Sequence, residues 1–201
     1  MSARSNPAAL ARPGDAHDAG TVLLLEHTPV YTAGRRAEAH EYPSDGTPVV
    51  AVNRGGKVTW HGPGQLVAYP VIRLASGFGG ADLVRALEGA LIAVVAEFGI
   101  AGTRVDGRTG VWTELRASAA PAPTLSKLAQ IGIHVSRRIV THGIALNCSN
   151  DLAPFANFVP CGITDAGVTT LSDCVGRTVT PAEVAPALER HLAPVLERFA
   201  V

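Results

Sequence analysis

The sequence predicts an α+β domain, a mixed and mainly antiparallel sheet with flanking helices. Three observations predict it. Short apolar runs bounded by turn-forming residues recur at residues 21–26, 48–53, 57–60 and 66–72, the pattern of strands joined by loops. Residues 126–135 and 139–147 flank Ser136-Arg137-Arg138, a hairpin signature. Amphipathic helical spacing is confined to segments near 82–98 and 180–199. With about three helices in all, the class is α+β.

Residues 1–20, rich in Ala, Pro, Gly, Arg and Asp, carry no sustained periodicity and read as a mobile N-terminal segment. Residues 21–201 read as one domain without internal repeats. Thr21-Val22-Leu23-Leu24-Leu25-Glu26 is a buried strand, and Gly34-Arg35-Arg36 is a loop able to reach a pocket. Residues 75–80 form a glycine-rich linker. Asp82 then caps a helix whose apolar face is Leu83, Leu87, Leu91, Val94, Val95 and Phe98, with Gly99 at C′. Short strands at 103–105 and 110–113 surround the turn Asp106-Gly107-Arg108, and residues 117–124, with Pro121 and Pro123, form an exposed connection. An irregular loop at 150–160 leads to Cys161-Gly162-Ile163. Thr180-Pro181-Ala182-Glu183 is a capping box opening a last helix with Val184, Leu188, Leu192, Val195 and Phe199 on its apolar face.

Composition excludes several classes. The 201 residues are 47% apolar and 17% charged with zero formal net charge, which argues against nucleic acid or an acidic membrane surface as partner. No run approaches the ~20 apolar residues of a membrane span, and residues 1–20 lack the apolar core of a signal peptide. Three cysteines fit a reducing cytoplasm. Cys148, Cys161 and Cys174 are evenly spaced, unlike the close pairs of a zinc site, so no metal is expected.

The chemistry gathers around Arg54-Gly55-Gly56-Lys57-Val58-Thr59-Trp60-His61-Gly62-Pro63-Gly64-Gln65. Four glycines in twelve residues let a backbone approach a ligand closely. The apolar runs on either side read as two strands of one sheet carrying this loop. Of the 17 basic residues only Lys57 and Lys127 are lysines, and lysine, unlike arginine, can do amine chemistry. Cys161 lies between Pro160 and Gly162, a setting that leaves its sulfur open, whereas Cys148 and Cys174 read as small buried hydrophobes. A thiol needs a neighbouring cation to become a thiolate at neutral pH. His142 would give a Cys–His hydrolase and Lys127 an acyl transferase, and spacing does not choose between them.

A resemblance bears on that choice. Residues 23–32 (LLLEHTPVYT), residues 54–65, Lys127-Leu-Ala-Gln-Ile-Gly, His142-Gly-Ile-Ala-Leu-Asn and Phe158-Val-Pro-Cys161-Gly-Ile resemble, in order, the motifs of the octanoyltransferase family of lipoic acid biosynthesis. The resemblance covers about residues 21–180. It implies a fold similar to the catalytic domains of lipoate- and biotin-protein ligases. It implies octanoyl transfer from acyl carrier protein to a lysine of a lipoyl domain, on 2-oxoacid dehydrogenase E2 subunits or glycine cleavage H protein, without a cofactor. Cys161 matches the acyl-carrying cysteine and Lys127 the lysine that lowers its pKa. Arg54, Gly55, Gly56, Lys57, Val58, Thr59, Trp60 and His61 match substrate-contacting segments, as do Gln130, Ile131, Gly132, Gly143, Ile144 and Ala145. His142 or Lys57 is expected to assist proton transfer, and Leu66, Val67, Val71, Ile144 and Leu146 to line the slot for the eight-carbon chain. Family members carry a strand and a helix where residues 1–20 stand. An ATP-dependent ligase, a carrier-binding module and a hydrolase are the competing readings.

Overall fold

The computed structural model of the chain describes residues 8–9, 20–43, 46–115, 124–158 and 166–201. The N-terminal residues other than 8–9 and 20, the connection before Thr124, and Cys161-Gly162-Ile163 lie outside them. Strands β1 (Ala8–Ala9), β2 (Thr21–Leu25), β6 (Gln65–Arg73), β10 (Ile139–Asn147), β9 (Thr124–Ser136), β8 (Arg108–Leu115) and β7 (Thr103–Val105) adjoin in that order, all antiparallel. β11 (Gly167–Val168) joins β9 in parallel and completes an eight-stranded sheet. A second sheet has the order β4 (Val49–Ala51), β3 (Val30–Ala33), β5 (Val58–His61), with β3 parallel to β4 and antiparallel to β5. This is the expected mixed, mainly antiparallel α+β architecture.

Helices α1 (Gly80–Glu97) and α3 (Pro181–Phe199) pack on each other and on the large sheet. Leu83, Leu87, Leu91, Val94 and Val95 of α1 meet Val184, Leu188 and Leu192 of α3 in one core with Leu66, Ala68, Val111 and Leu128. Helix α2 (Leu171–Val175) is a single short turn. The small sheet has its own core of Tyr31, Val58, Trp60, Phe155 and Phe158.

Several expectations change in detail. The strands flanking the glycine-rich stretch belong to different sheets, β4 to the small one and β6 to the large one, so the loop joins two layers. Asp82 is not the N-cap of α1. Gly79 is, and Asp82 in the first turn accepts its N–H at 2.8 Å. Gly99 takes the left-handed C′ position (φ +76°) as expected. Thr180 does cap α3 through Glu183 N, but the Glu183 carboxylate turns to Arg177, at 2.8 and 3.1 Å, rather than completing the capping box.

Glu88 on α1 ties helix to sheet. Its buried carboxylate accepts from Gly110 N at 3.1 Å on β8, Arg104 Nε at 3.2 Å on β7 and Arg85 Nη1 at 3.1 Å. Glu88→Ala strands the buried Gly110 N–H and should cost about 1–3 kcal/mol in urea unfolding. Glu88→Gln, which keeps an acceptor, should cost less. Equal losses would show that the hydrogen bond is not what the carboxylate supplies.

Candidate active site

Both sheets wall a cavity of about 810 Å³. The glycine-rich stretch forms one side of it. Arg54, buried, donates from Nη2 to Thr32 O and Oγ1, both at 2.9 Å, and from Nη1 to Gly55 O at 3.0 Å. Gly55 N donates to Ile133 O at 3.0 Å, which fastens the loop to β9. A Cβ on Gly34 would lie 2.5 Å from Gly56 O and 2.6 Å from Arg54 Nη1, so this approach requires glycine.

Buried hydrogen bonds set the protonation of His61. Asn147 Nδ2 donates to Thr169 O at 3.0 Å, leaving its Oδ1 to accept from Gln65 Nε2 at 2.8 Å. Gln65 Oε1 must then accept, at 2.7 Å, so His61 carries its proton on Nδ1 and keeps a lone pair on Nε2. Burial pulls the His61 pKa down to about 4. His27, whose Nε2 pairs with Tyr69 OH at 2.7 Å, and His142, whose Nε2 pairs with Asn53 Oδ1 at 2.6 Å, are also lowered, chiefly by burial. The cavity therefore holds three neutral imidazoles at neutral pH.

Lys127 lies on the opposite wall, 5% exposed, with Nζ 5.0 Å from the centroid of the Trp112 ring. Trp112 is itself anchored through Nε1 to Arg108 O at 3.0 Å. Gly110 (φ +126°) completes the seat, since a Cβ there would fall 2.7 Å from Lys127 Cε and 2.4 Å from Ala129 O. β11 returns beside this lysine, with Val168 in register opposite it and Thr169 N donating to Lys127 O at 3.0 Å.

Residues 8–193 match the Lipoyl protein ligase A/B catalytic domain. An "Octanoyltransferase" of Clavibacter sepedonicus is 57% identical over 177 residues, covering 88% of this chain and 75% of the relative. The chain belongs to the octanoyltransferases of this family. Among solved structures, a bipartite lipoate protein ligase from Thermoplasma acidophilum superposes with TM-score 0.67 at 17% identity, covering 88% of this chain and 71% of that one. A biotin protein ligase from Aquifex aeolicus does so with TM-score 0.53 at 16% identity, covering 83% and 70%. The expected kinship of fold holds.

The octanoyltransferase-family motifs converge on the cavity, but not every expected residue does. Arg54, Gly55, Gly56, Lys57, Thr59, His61, Lys127, Gln130, Ile131, Gly132, His142, Gly143, Ile144 and Ala145 line it; Val58 and Trp60 point instead into the small core. Of the residues expected to hold the acyl chain only Ile144 lines the cavity. Leu66 and Leu146 pack under the helices, Val67 is buried away from it, and Val71 is 38% exposed. The apolar lining comes from Val30, Val50, Val52, Val84, Ile131 and Ile133. Lys57 is bonded to the buried Glu41 carboxylate, which holds its ammonium above its usual pKa. Burial pushes the Cys148 thiol up to about 12 and raises that of Cys174, so both are poor nucleophiles. Cys161 lies outside the described residues. Among the described residues no His, Cys, Asp or Glu cluster could hold a metal, and no helix is long and apolar enough to cross a membrane.

Two outcomes follow from this geometry. Gly110→Ala should lower stability by about 1–3 kcal/mol through its backbone strain and displace Lys127; unchanged transfer activity in a folded variant would contradict the seat. The unfolded chain protonates His61 near its model-peptide value of about 6.5, the folded one near 4, so stability should fall as pH drops from 6.5 toward 4. His61→Gln should flatten urea midpoints across that window, and an unaltered slope would assign the acid sensitivity elsewhere.

Proposed function

We propose that this chain transfers an octanoyl group from acyl carrier protein to a lipoyl-domain lysine through a thioester on Cys161, in the cytoplasm. The observation that carries the reading is a lysine seated in the wall of a largely apolar cavity, in a chain 57% identical to a named octanoyltransferase. The Cys161 thiolate attacks the thioester carbonyl, and the tetrahedral adduct collapses with loss of the carrier thiol, which takes up a proton. The acceptor lysine, as free amine, then attacks the Cys161 thioester. The amide forms, Cys161 leaves as thiolate, and the amine gives up a proton. No ATP is required, because the thioester is already activated.

Lys127 is the group we assign to stabilising the thiolate and moving its proton. The described residues flanking Cys161 support this, since Phe158 packs beside Tyr31 at one end and Val168 pairs with Lys127 at the other. Thr59 Oγ1 and the Gln130 amide, buried on the cavity wall and without hydrogen-bond partners among the described residues, are open to a bound carbonyl. The acceptors are lipoyl domains of 2-oxoacid dehydrogenase E2 subunits and glycine cleavage H protein.

The test is transfer from octanoyl-acyl carrier protein to a lipoyl domain, at full rate without ATP or magnesium. An absolute ATP requirement would make the chain a ligase. Lys127→Arg, which keeps charge but cannot release a proton, should lose at least about tenfold, or about 1.4 kcal/mol of barrier. Lys127→Met should lose more. Near-normal turnover in the arginine variant would leave Lys127 only a Coulombic role.

A further inference from the structure

Two side-chain amides, Gln65 and Asn147, face each other across β6 and β10 and are both 0% exposed. Burying amides where apolar side chains would pack costs stability unless their bonds are made. The bonds that fix them all run in one direction. Asn147 Nδ2 donates to the backbone carbonyl of Thr169, which leaves Oδ1 for Gln65 Nε2, and that nitrogen also approaches Trp60 O at 3.4 Å. A carbonyl only accepts, so neither amide can turn over, and Gln65 Oε1 is left to take the proton on His61 Nδ1. The other two imidazoles of the cavity lack such an anchor. His27 Nε2 meets the Tyr69 hydroxyl, which can donate or accept, and His142 Nε2 meets the exposed amide of Asn53. His61 Nε2 has no hydrogen-bond partner among the described residues. Thr169 also donates its N–H to Lys127 O at 3.0 Å, so one residue holds both the His61 relay and the strand that carries Lys127.

We propose that His61 Nε2 is the proton acceptor for the incoming lysine amine, and that Gln65 and Asn147 are positioning residues that keep this nitrogen unprotonated. The inference rests on the acyl-transfer reading. Passing the acyl group from the carrier to Cys161 exchanges one thiol for another. Passing it to an amine adds a demand, since the nitrogen must shed an N–H proton as the amide forms. With Lys127 assigned to the Cys161 thiolate, that proton needs a second acceptor, and no Asp or Glu lines the cavity among the described residues. In this step the amine nitrogen bonds to the acyl carbon and its N–H proton passes to His61 Nε2. The C–S bond breaks, Cys161 leaves as thiolate, and the imidazolium then releases its proton to solvent. Burial of the ring, with Arg54, His27 and His142 around it, favours that release.

The experiment times the two half-reactions separately by intact mass, in the wild type, His61→Gln, Gln65→Met and Asn147→Leu. One is octanoyl-enzyme formation from octanoyl-acyl carrier protein, the other its discharge to a lipoyl domain. His61→Gln should slow discharge relative to formation by at least about tenfold. Gln65→Met and Asn147→Leu should lower the same ratio by less. Nitrogen NMR of the imidazole rings should find the His61 proton on Nδ1 in the wild type and a mixture of tautomers in the two positioning variants. The wild-type spectrum needs no buried variant to fold. A wild-type His61 protonated on Nε2, or discharge in His61→Gln that keeps pace with formation, overturns the inference while leaving acyl transfer intact. Equal slowing of both half-reactions also overturns it, because a merely structural residue would produce that. A wild type that forms no octanoyl-enzyme overturns the acyl-transfer reading as well.

Discussion

A buried guanidinium holds the two sheets of this protein in one arrangement. Arg54 bonds to Thr32 in the small sheet while its aliphatic stem runs beside Gly132 in the large one, where a Cβ would come within 3.1 Å of Cδ. The neighbouring Gly55 N–H on Ile133 O repeats the tie through the backbone. These contacts hold β3 and the glycine-rich loop against β9 on one side of the cavity. Its glycines, Gly34 and Gly132 above all, are what allow main chain and guanidinium to meet there.

Within that frame the polar groups fall into two kinds. The histidines are kept neutral by burial and aimed by hydrogen bonds, His61 through a relay that ends on Thr169, one residue beyond the strand beside Lys127. The cations come from the glycine-rich loop (Arg54 and Lys57), the turn bonded to it (Arg36), β8 (Arg108) and β9 (Lys127). Under the proposed reaction, neutral imidazoles and a lysine amine lining one cavity are suited to passing protons between a thiol and an amine. Trp112 gives Lys127 Nζ an aromatic face, and the register shift between Val111 and Trp112, next to Gly110 whose N–H Glu88 accepts, sets where that face lies.

Much of this was legible in the sequence. The long β9–β10 hairpin, the glycine stretch and the two main helices announced themselves because local spacing determines them. Membership of the two sheets did not, because β3 is only four residues long behind Pro29 and its partners are set by packing. The acyl lining was misread for a related reason. Alternation along β6 separates its two faces but does not say which one a helix covers, and α1 and α3 cover the face bearing Leu66. The pairing of Lys57 with the buried Glu41, sixteen residues away, was not readable from spacing. Trp112 and Glu88 carried no local signal, since each acts across a strand or helix boundary.

The central claim is that the acyl group is carried on Cys161. Intact-mass spectrometry after mixing with octanoyl-acyl carrier protein, without acceptor, tests it most directly. One octanoyl group should appear, be released by hydroxylamine, and be absent from Cys161→Ala while persisting in Cys148→Ala and Cys174→Ala. An adduct that survives in Cys161→Ala would contradict the account.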